Sequence, residues 1–316
     1  MRQVKNKVHI EGILIENNLE IGSYVKNGSN VESIHGNIKV LVRQTINGKP
    51  QDNEIPVYVF SNKFKNNGEP NPVFESLKRV KDEYVSAATA GGIEGADCVR
   101  ITNGDIRMNE YFDQTGRFVS YPRINATFIN RVKKEDCTHK ATFEVEFVVA
   151  DQGYETNAEG ENIKDQNGND KYYVKGILVG YNDRIDVCKF YCSNPNVVNV
   201  VSGCWKEYDT VSATGRLNFT STTTTETVEQ GFGEPIVNTR TITLSDLIIT
   251  GGSDVPLDEP LAFDEADIQK GLAARRARLE MDKEKAMSKA KAAPAPAPAN
   301  TTSTPAAARR QMDLGF

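Results

Sequence analysis

The stretch EIPVYVFSNKFKNNGEPNPVFESLKRVKDEY, residues 54–84, passes from the period of a β-strand to the period of an α-helix. Residues 54–62 alternate between two faces, with aliphatic side chains on one face and rings on the other. The face expected inside carries Ile55, Val57 and Val59, and the outer face carries Tyr58 and Phe60. Residues 71–84 favour a helix, because Asn71 can cap it and Pro72 suits its first turn. Its apolar positions share one side and are Val73, Leu77, Val80 and Tyr84.

Strand-like segments lie on both sides of this stretch. Residues 8–16 and 36–45 precede it, and residues 97–112 and 117–132 follow it. The order is therefore three strands, one helix and two strands, which is the order of the five-stranded OB barrel. We predict such a barrel over residues 1–134.

The same order recurs more loosely, and it predicts a second OB-like barrel over residues 138–250. Residues 141–150, 172–181 and 184–194 supply its first three strands, and CKFYCSN repeats the Ser-Asn ending of VYVFSN. Residues 194–208 replace the helix with a shorter segment rich in β-branched side chains, and Gly215 stands where Gly104 stands in the first copy. The predicted fold class is all-β with two tandem barrels. The alternative is one β-sandwich whose internal similarity is accidental.

Beyond residue 250 the composition changes. Residues 251–291 read as an acidic connector and a helix, in which Asp264 is the cap and Phe263 packs against Ile268 across it. Gly271 weakens this helix. The repetition of Ala, Pro and Thr in residues 292–316 predicts a disordered linker without a core. It ends in the apolar tip MDLGF, and an exposed apolar tip usually has something that binds it.

Composition sets the compartment and excludes a membrane span. The 316 residues contain no run of about 18 apolar side chains, which a spanning helix requires. The start MRQVKNKVHIEG has no apolar core followed by a cleavage site, so we expect no secretion signal. The five cysteines are odd in number and form no CxxC pair, which indicates reduced thiols. We expect a cytoplasmic protein.

The net charge of −5 is unevenly distributed along the chain. Residues 151–170 hold six acids and one lysine, and residues 251–316 hold ten acids and ten bases. The remaining residues therefore sum to zero, so basic side chains can still be concentrated on one face. This distribution permits a nucleic-acid surface without demonstrating one.

The motifs of catalysis are missing from the sequence. The three histidines are scattered, and the sequence contains no GxSxG, no Walker lysine loop and no GxGxxG after a strand. Cys137 with His139, or Cys188 with Cys192, would be the only starting points for a zinc site, but their spacing fits no common pattern. We expect no enzyme activity, no cofactor and no metal, and buried thiols instead.

A binding face of bases and rings is the better interpretation of the first copy. Single-stranded nucleic acid is held by cations that follow the phosphates and by rings that stack on bases. On adjacent strands, Lys39 and Arg43 lie beside Tyr58 and Phe60. The fourth strand and the following hairpin add Arg107, Tyr111, Arg117, Phe118, Tyr121 and Arg123. Alternatively, Tyr58 and Phe60 fill the barrel or an interface.

The second copy offers a less certain set. Its candidate residues are Lys175, Tyr181, Lys189, Tyr191, Trp205, Lys206, Arg216 and Phe219. When the Ser-Asn endings are aligned, Lys189 and Tyr191 fall where the first copy points inward, so either a bulge intervenes or the alignment is off by one. A core role for Trp205 stays open beside base stacking. We expect residues 220–235 to form a protruding hairpin and the acidic residues 151–170 to repel phosphate.

The residues NKVHIEGILIENNLEI (6–21), VYVFSN (57–62) and DCVRITNGDIRMNEYF (97–112), followed by a long arm that ends in Phe, resemble the bacterial and phage single-stranded DNA-binding proteins. In that family the acidic tip docks on replication and repair proteins. Carried over by position, the docking residues here are Asp313, Leu314 and Phe316. This tip departs from the pattern, with one Asp, Gly315 in place of the usual proline, and two arginines before it.

The resemblance implies a non-enzymatic protein that coats unpaired DNA in replication and recombination and recruits partners through its tip. The departures from the family pattern suggest a phage origin. Two barrels per chain would let a homodimer supply the four barrels common in the family. The alternatives are an all-β structural or assembly protein that makes protein–protein contacts, and an RNA-binding OB module.

Overall fold

The computed structural model describes residues 1–46, 48–113, 115–165, 168–228 and 236–292; the side chains of residues 221–228, 236–243 and 289–292 are not described. The first barrel contains two short helices and six strands. They are β1 (Asn6–Lys26), β2 (Ser29–Ile46), β3 (Lys49–Asn62), α1 (Pro72–Glu83), α2 (Ala87–Ala90), β4 (Cys98–Phe112), β5 (Phe118–Ala126) and β6 (Asn130–Val132).

The strand pairings close the first barrel. β1 pairs with β2, β2 with β3, and β4 with both β5 and β1, all antiparallel. The closure is a parallel contact between β3 and β5, in which Val57 lies opposite Ile124. The circuit β1-β2-β3-β5-β4-β1, with α1 between the third and fourth strands, is the predicted OB connectivity.

The second barrel repeats this circuit. Its elements are β7 (Lys140–Tyr154), β8 (Tyr172–Val179), β9 (Ile185–Cys192), α3 (Pro195–Cys204), β10 (Thr210–Val228) and β11 (Ile236–Gly252). β7 pairs with β8 and with β10, β8 with β9, and β10 with β11. Tyr191 of β9 lies parallel to Ile248 of β11 and closes the ring. The all-β fold class with two tandem OB-like barrels is confirmed.

The ladders fix which residues of the two barrels are equivalent. Gly104 lies opposite Val8, and Gly215 lies opposite Phe143 at the same point of the second circuit. Following the pairs across each sheet makes Tyr58 the equivalent of Tyr191. The alignment of the Ser-Asn endings is therefore wrong by one residue, and the β8–β9 ladder contains no bulge.

The two barrels share one continuous sheet. Residues Asn6–Glu11 of β1 pair antiparallel with Lys140–Val145 of β7, and Val8 lies directly opposite Phe143. Because Val8 and Phe143 are equivalent positions, approximate twofold symmetry relates the barrels at this junction. The core runs through both barrels as one cluster of buried aliphatic and aromatic side chains.

Glu11 ties the connection between the barrels to the first barrel. Its buried carboxylate accepts a hydrogen bond from Arg100 Nε at 2.6 Å and one from the backbone N–H of Thr138 at 2.8 Å. The hydrogen bond from Arg100 is the main reason that the pKa of Glu11 falls to about 2. An ionised Glu11 therefore holds the connection at neutral pH.

Both barrels carry a helix after the third strand, capped in the same way. Asn71 accepts the N–H of Val73 and Asn194 accepts the N–H of Asn196, each before a proline. The predicted cap of α1 is confirmed, and α1 buries Phe74, Leu77 and Val80. The expectation that another kind of segment replaces the helix in the second copy is wrong, because residues 195–204 form an α-helix; it is shorter than α1, as expected, with 10 residues against 12.

Helix α4 (Glu265–Ala292) lies across both barrels. Asp264 caps it through the N–H of Ala266 at 2.8 Å, as predicted, and Ile268 is fully buried. Gly271 does more than weaken the helix: a Cβ there would overlap the Ile185 side chain, so glycine allows the close approach of α4 to β9. Farther along, the Arg275 guanidinium pairs with Glu110 of β4.

Two further findings concern the helices and the cysteines. Within the described ranges, no helix is long and apolar enough to cross a membrane. The five cysteines are all free thiols, and Cys98, Cys188 and Cys192 are buried.

Replacing Gly215 with Ala tests the packing at the barrel closure. The new Cβ would overlap the Ile248 carbonyl oxygen and the Phe143 ring, neither of which can move freely. We expect Gly215→Ala to lower the free energy of unfolding by about 1–3 kcal/mol, measured by urea denaturation. Gly203→Ala in α3 is the control, since a Cβ there meets nothing within 4 Å. It should raise stability by up to about 1 kcal/mol, and equal effects of the two substitutions would contradict this packing.

Candidate nucleic-acid interface

The outer face of β3 presents its rings as predicted. Ile55, Val57 and Val59 are fully buried, whereas Tyr58 is half-buried and Phe60 is 46% exposed. The strand period thus sends the aliphatic side chains into the first barrel and the rings outward. Neither ring fills the barrel.

Tyr58 and Phe60 open into a cleft of about 550 Å³ that we call the inter-barrel groove. The first barrel contributes side chains from β3, β4 and β5, and the second contributes the turn between β8 and β9. The charged and aromatic side chains of the groove are Tyr58, Phe60, Arg107, Arg123, Tyr181 and Arg184. Two separate parts of the chain therefore build one surface.

The inter-barrel groove continues into a second cleft of about 400 Å³. The two clefts share Phe60 and Thr127, and the second also contains Phe64 and Lys65 of the β3–α1 connection. Tyr24 lies beside this end, with its ring centroid 6.1 Å from that of Phe60. Exposed rings therefore follow one another from Phe64 through Phe60 to Tyr181, which is 74% exposed.

The arginines of the groove are held in fixed positions. The Arg123 guanidinium stacks on Tyr58, with Cζ 4.3 Å from the ring centroid. Arg107 Nε donates to Asp105 at 2.6 Å, and its Nη1 lies 3.9 Å from Asp186. Arg184 Nε donates to the same Asp186 at 3.2 Å.

Asp186 is the buried anchor of this arrangement. Its side chain is 1% exposed and lies between Arg107 of the first barrel and Arg184 of the second. A buried carboxylate is stable only when it is paired and hydrogen-bonded. Arg184 hydrogen-bonds Asp186, and Arg107 adds a second positive charge within ion-pair distance. The remaining N–H groups of both arginines can donate to phosphate oxygens.

The β4–β5 hairpin forms a separate exposed cluster of rings. Tyr111 meets Tyr121 edge to face with centroids 6.5 Å apart, and Phe112 meets Phe118 at 5.3 Å. Arg117 lies at the turn of the same hairpin. None of these side chains lines the inter-barrel groove within the described residues, so the hairpin is a second ring-bearing surface of the first barrel.

The cations predicted on β2 are paired with acids of neighbouring strands. Lys39 Nζ lies 2.5 Å from Glu16 and 3.7 Å from Glu54, and Arg43 Nε lies 3.8 Å from Asp52. Phosphate would have to compete with these carboxylates. The partners of the two cations in the β2–β3 ladder are Pro56 and Asp52, so Lys39 and Arg43 do not lie directly beside Tyr58 and Phe60.

The second barrel places its predicted cations on its outer face, also beside carboxylates. Lys175 Nζ donates to Asp151 at 2.6 Å, which lowers the pKa of Asp151, and Lys189 Nζ donates to Glu155 at 2.9 Å. Nearby is a cleft of about 430 Å³, which we call the barrel-two cleft. It contains Tyr191 and Arg216 from the predicted set.

Three predicted positions need correction. Trp205 is 2% exposed and donates its indole N–H to the Ser253 carbonyl at 2.9 Å, and Phe219 is 3% exposed. Both rings belong to the core, so neither is accessible to a base. Tyr181 lies outside the strand predicted over residues 172–181, because β8 ends at Val179 and Tyr181 lies in the following turn. Lys206 is exposed but lines neither the inter-barrel groove nor the barrel-two cleft.

Sequence reasoning missed four residues of this surface: Tyr24, Phe64, Lys65 and Arg184. Phe64, Lys65 and Arg184 lie in connections between strands, where no alternation indicates which way a side chain points. A signal did exist for Tyr24, since Asn27-Gly28 is a strong two-residue hairpin turn that would have lengthened β1 beyond residue 16.

Among the described residues, no three His, Cys, Asp or Glu side chains come together as a metal site would require. Cys188 and Cys192 point into the second barrel, and burial raises the pKa of the Cys192 thiol to about 12. The predicted tip residues Asp313, Leu314 and Phe316, and the tip of the hairpin at 229–235, lie outside the described residues.

Residues 5–285 match the model of the YorF family, so this chain belongs to that family. A search of curated protein sequences finds no match. Among solved structures, the wild-type single-stranded DNA-binding protein from Thermus aquaticus aligns with a TM-score of 0.48 and 11% identity, over 84% of this chain and 99% of that chain. A deletion mutant of the same protein aligns with a TM-score of 0.46 and 13% identity over the same shares. This likeness is distant, and the two OB circuits rest on the strand pairings themselves.

The anchoring role of Asp186 can be measured as stability. Asp186→Asn keeps the shape but removes the charge that holds two arginines, and we expect a loss of about 1–3 kcal/mol in the free energy of unfolding. Asp105→Asn is the control, because Asp105 pairs with the same Arg107 but is 30% exposed. Asp105→Asn should lower the free energy of unfolding by less than about 1 kcal/mol. A larger loss for Asp105→Asn would mean that the cross-barrel anchor has been assigned to the wrong residue.

Proposed function

We propose that this member of the YorF family binds single-stranded DNA along the inter-barrel groove. The observation that carries the proposal is the groove itself, which combines Tyr58, Phe60 and Tyr181 with three arginines. Rings exposed in a row can stack on successive bases, and arginines between them can contact the phosphates. A duplex hides its base faces, so this arrangement suits an unpaired strand.

The charges of the groove support an anionic ligand. Its lining contains Arg107, Arg123 and Arg184 and no acidic side chain among the described residues. The two carboxylates that touch these arginines, Asp105 and Asp186, are not part of the groove lining, and Asp186 is buried. The local excess of positive charge explains how a chain with a net charge of −5 can still bind DNA.

We further propose that the protein coats unpaired DNA during replication and recombination, that it is not an enzyme, and that it acts in the cytoplasm. A phage origin is compatible with the altered tip. In this proposal Asp313, Leu314 and Phe316 recruit a partner protein, and a homodimer would bring four barrels together. The exposed hairpin rings around Tyr111 and Phe118 favour a second candidate, an assembly protein that uses them for protein–protein contacts.

The double variant Phe60→Ala/Tyr181→Ala tests the groove. Both rings are exposed, so the fold should tolerate their loss, and each lost stack should weaken binding by about 1–3 kcal/mol. Fluorescence anisotropy with labelled oligo(dT) measures the affinity and is preferable to tryptophan quenching, since Trp205 is buried. Tyr154→Ala is the control, because that ring is 50% exposed on the second barrel and lines neither the groove nor the barrel-two cleft.

The titrations are repeated at two salt concentrations. They are also repeated with oligo(U) of the same length, the RNA counterpart of oligo(dT). Affinity that falls with salt indicates phosphate contacts. Absence of binding to any oligonucleotide at low salt would remove the proposal and leave the assembly protein. Tighter binding to RNA than to DNA would replace DNA with RNA as the ligand.

Deleting residues 309–316 tests the tip. We expect DNA affinity to stay the same or to rise, because the tip is proposed to bind protein and contains the acid Asp313, which phosphate would repel. Capture of a replication partner by the immobilised protein should be lost. A deletion of equal length in the linker, residues 294–301, should keep that capture. If DNA affinity drops only in the tip deletion, the tip belongs to the DNA site instead.

A further inference from the structure

The barrel-two cleft is the counterpart of the inter-barrel groove under the approximate twofold symmetry. Tyr191 occupies the place of Tyr58, as the ladders show. In the inter-barrel groove, the first barrel receives Tyr181 and Arg184 from a turn of the second barrel. In the barrel-two cleft, the second barrel receives Lys49 and Gln51 from the β2–β3 hairpin of the first.

The counterpart keeps the chemistry of a strand-binding surface. A cation lies over the ring in both places, since Arg123 Cζ is 4.3 Å from the centroid of Tyr58 and Lys171 Nζ is 4.0 Å from that of Tyr191. The cleft lining also includes Lys49 and Arg216. Its side chains therefore provide a ring, several cations and the amides of Gln51 and Asn218.

The two sites differ in their acids. Asp246 of β11 lines the barrel-two cleft and pairs with Lys171 Nζ at 2.9 Å, and the connection between β7 and β8 adds further carboxylates. The segment 155–165, between β7 and β8, lies along the barrel-two cleft, and its residues Ile163, Lys164 and Asp165 form part of the lining. Glu155 accepts from Lys189 Nζ at 2.9 and 3.0 Å. Asp165 and Arg216 line the same cleft. One carboxylate of the segment thus lies in the cleft with Arg216, and the other pairs with Lys189, a predicted DNA-binding cation outside the cleft lining.

One ion pair between a lysine and a carboxylate occurs at the same position in both barrels. Lys175 pairs with Asp151 next to a bulge in β7, and Lys39 pairs with Glu16 next to the same bulge in β1. This pair is common to both barrels, so it cannot distinguish them. Among the described residues, the first barrel has no counterpart of the Glu155–Lys189 pair, because Pro56 stands at the position that Lys189 occupies in the second barrel.

We propose that barrel two holds a second groove for single-stranded nucleic acid, formed by the barrel-two cleft and the outer face at Lys189, and that Asp165 in the cleft and Glu155 on Lys189 take the places of phosphates. This inference rests on the proposed function. It makes the inter-barrel groove the site that is open in the described structure and the barrel-two cleft a latent site. A longer strand, already held by the first groove, would displace the segment because its local concentration is high.

The variant Glu155→Gln/Asp165→Asn tests the latent site. Asparagine at 165 can still accept the N–H of Asn169, which Asp165 Oδ1 now accepts at 2.9 Å, so the turn is preserved. The control is Glu159→Gln/Glu161→Gln in the same segment. It removes the same two charges, but these carboxylates are exposed and each accepts from Asn157 Nδ2 at 3.1 Å.

Affinity is measured for a short and a long oligo(dT), of roughly 8 and roughly 35 nucleotides, because one OB barrel binds about 4–16 nucleotides. The short strand should bind wild type and both variants equally through the inter-barrel groove. The long strand should bind Glu155→Gln/Asp165→Asn about tenfold more tightly than wild type at low salt, as expected when cations are freed for phosphates. That variant should also occlude more nucleotides per chain.

Equal affinity of this variant and wild type for the long strand would overturn the latent site, while short-strand binding would leave the proposed function standing. Equal tightening by the control variant would also overturn it, because overall charge would then explain the gain. If wild type binds neither strand, the proposed function fails and the latent site fails with it.

Discussion

The antiparallel pairing of β1 with β7 is the constraint on which the rest of the structure depends. Six residue pairs join the two barrels into one sheet, with Val8 opposite Phe143. A sheet that runs through both barrels leaves little freedom for them to rotate against each other. The same β1 also pairs with β2 and β4, so one strand serves the first barrel and the junction together.

This junction explains why the binding surface belongs to the pair of barrels. Twofold pairing brings the β8–β9 turn of the second barrel beside β3 and β5 of the first, and Tyr181 and Arg184 complete the groove there. Asp186 then fixes the two halves, because its buried charge needs both Arg107 and Arg184. Helix α4 supports the arrangement from outside, with Ile268 buried against the second barrel and Arg275 paired to Glu110 of the first.

The two barrels have the same fold, and they differ more in how their surface charges are arranged. Most candidate cations lie beside acids, as Lys39 does with Glu16 and Lys189 with Glu155. Such pairs reduce the field that a phosphate would meet. In the inter-barrel groove, Arg107 and Arg184 also lie beside Asp105 and Asp186, but these acids are not part of the lining. Arg123 stacks on Tyr58 and has no carboxylate within 4 Å among the described residues, so it is the groove cation whose charge is least offset.

The sequence by itself determined the strands, the first helix and the order of elements, because alternation and capping are local properties. Ile55, Val57 and Val59 point inward simply because the strand period is two, and Asn71 caps α1 because the following N–H groups lack partners. From this order the two OB circuits could be predicted, as could the outward rings Tyr58 and Phe60.

Only the tertiary structure decided which of the outward side chains meet. Trp205 and Phe219 are indistinguishable from binding rings by type, yet packing puts both in the core. Tyr181 and Arg184 join a groove on the other barrel because β1 pairs with β7, and pairing between distant strands leaves no local trace in the sequence. The cover over the barrel-two cleft depends in the same way on where the connection 155–165 folds back, which its composition does not specify.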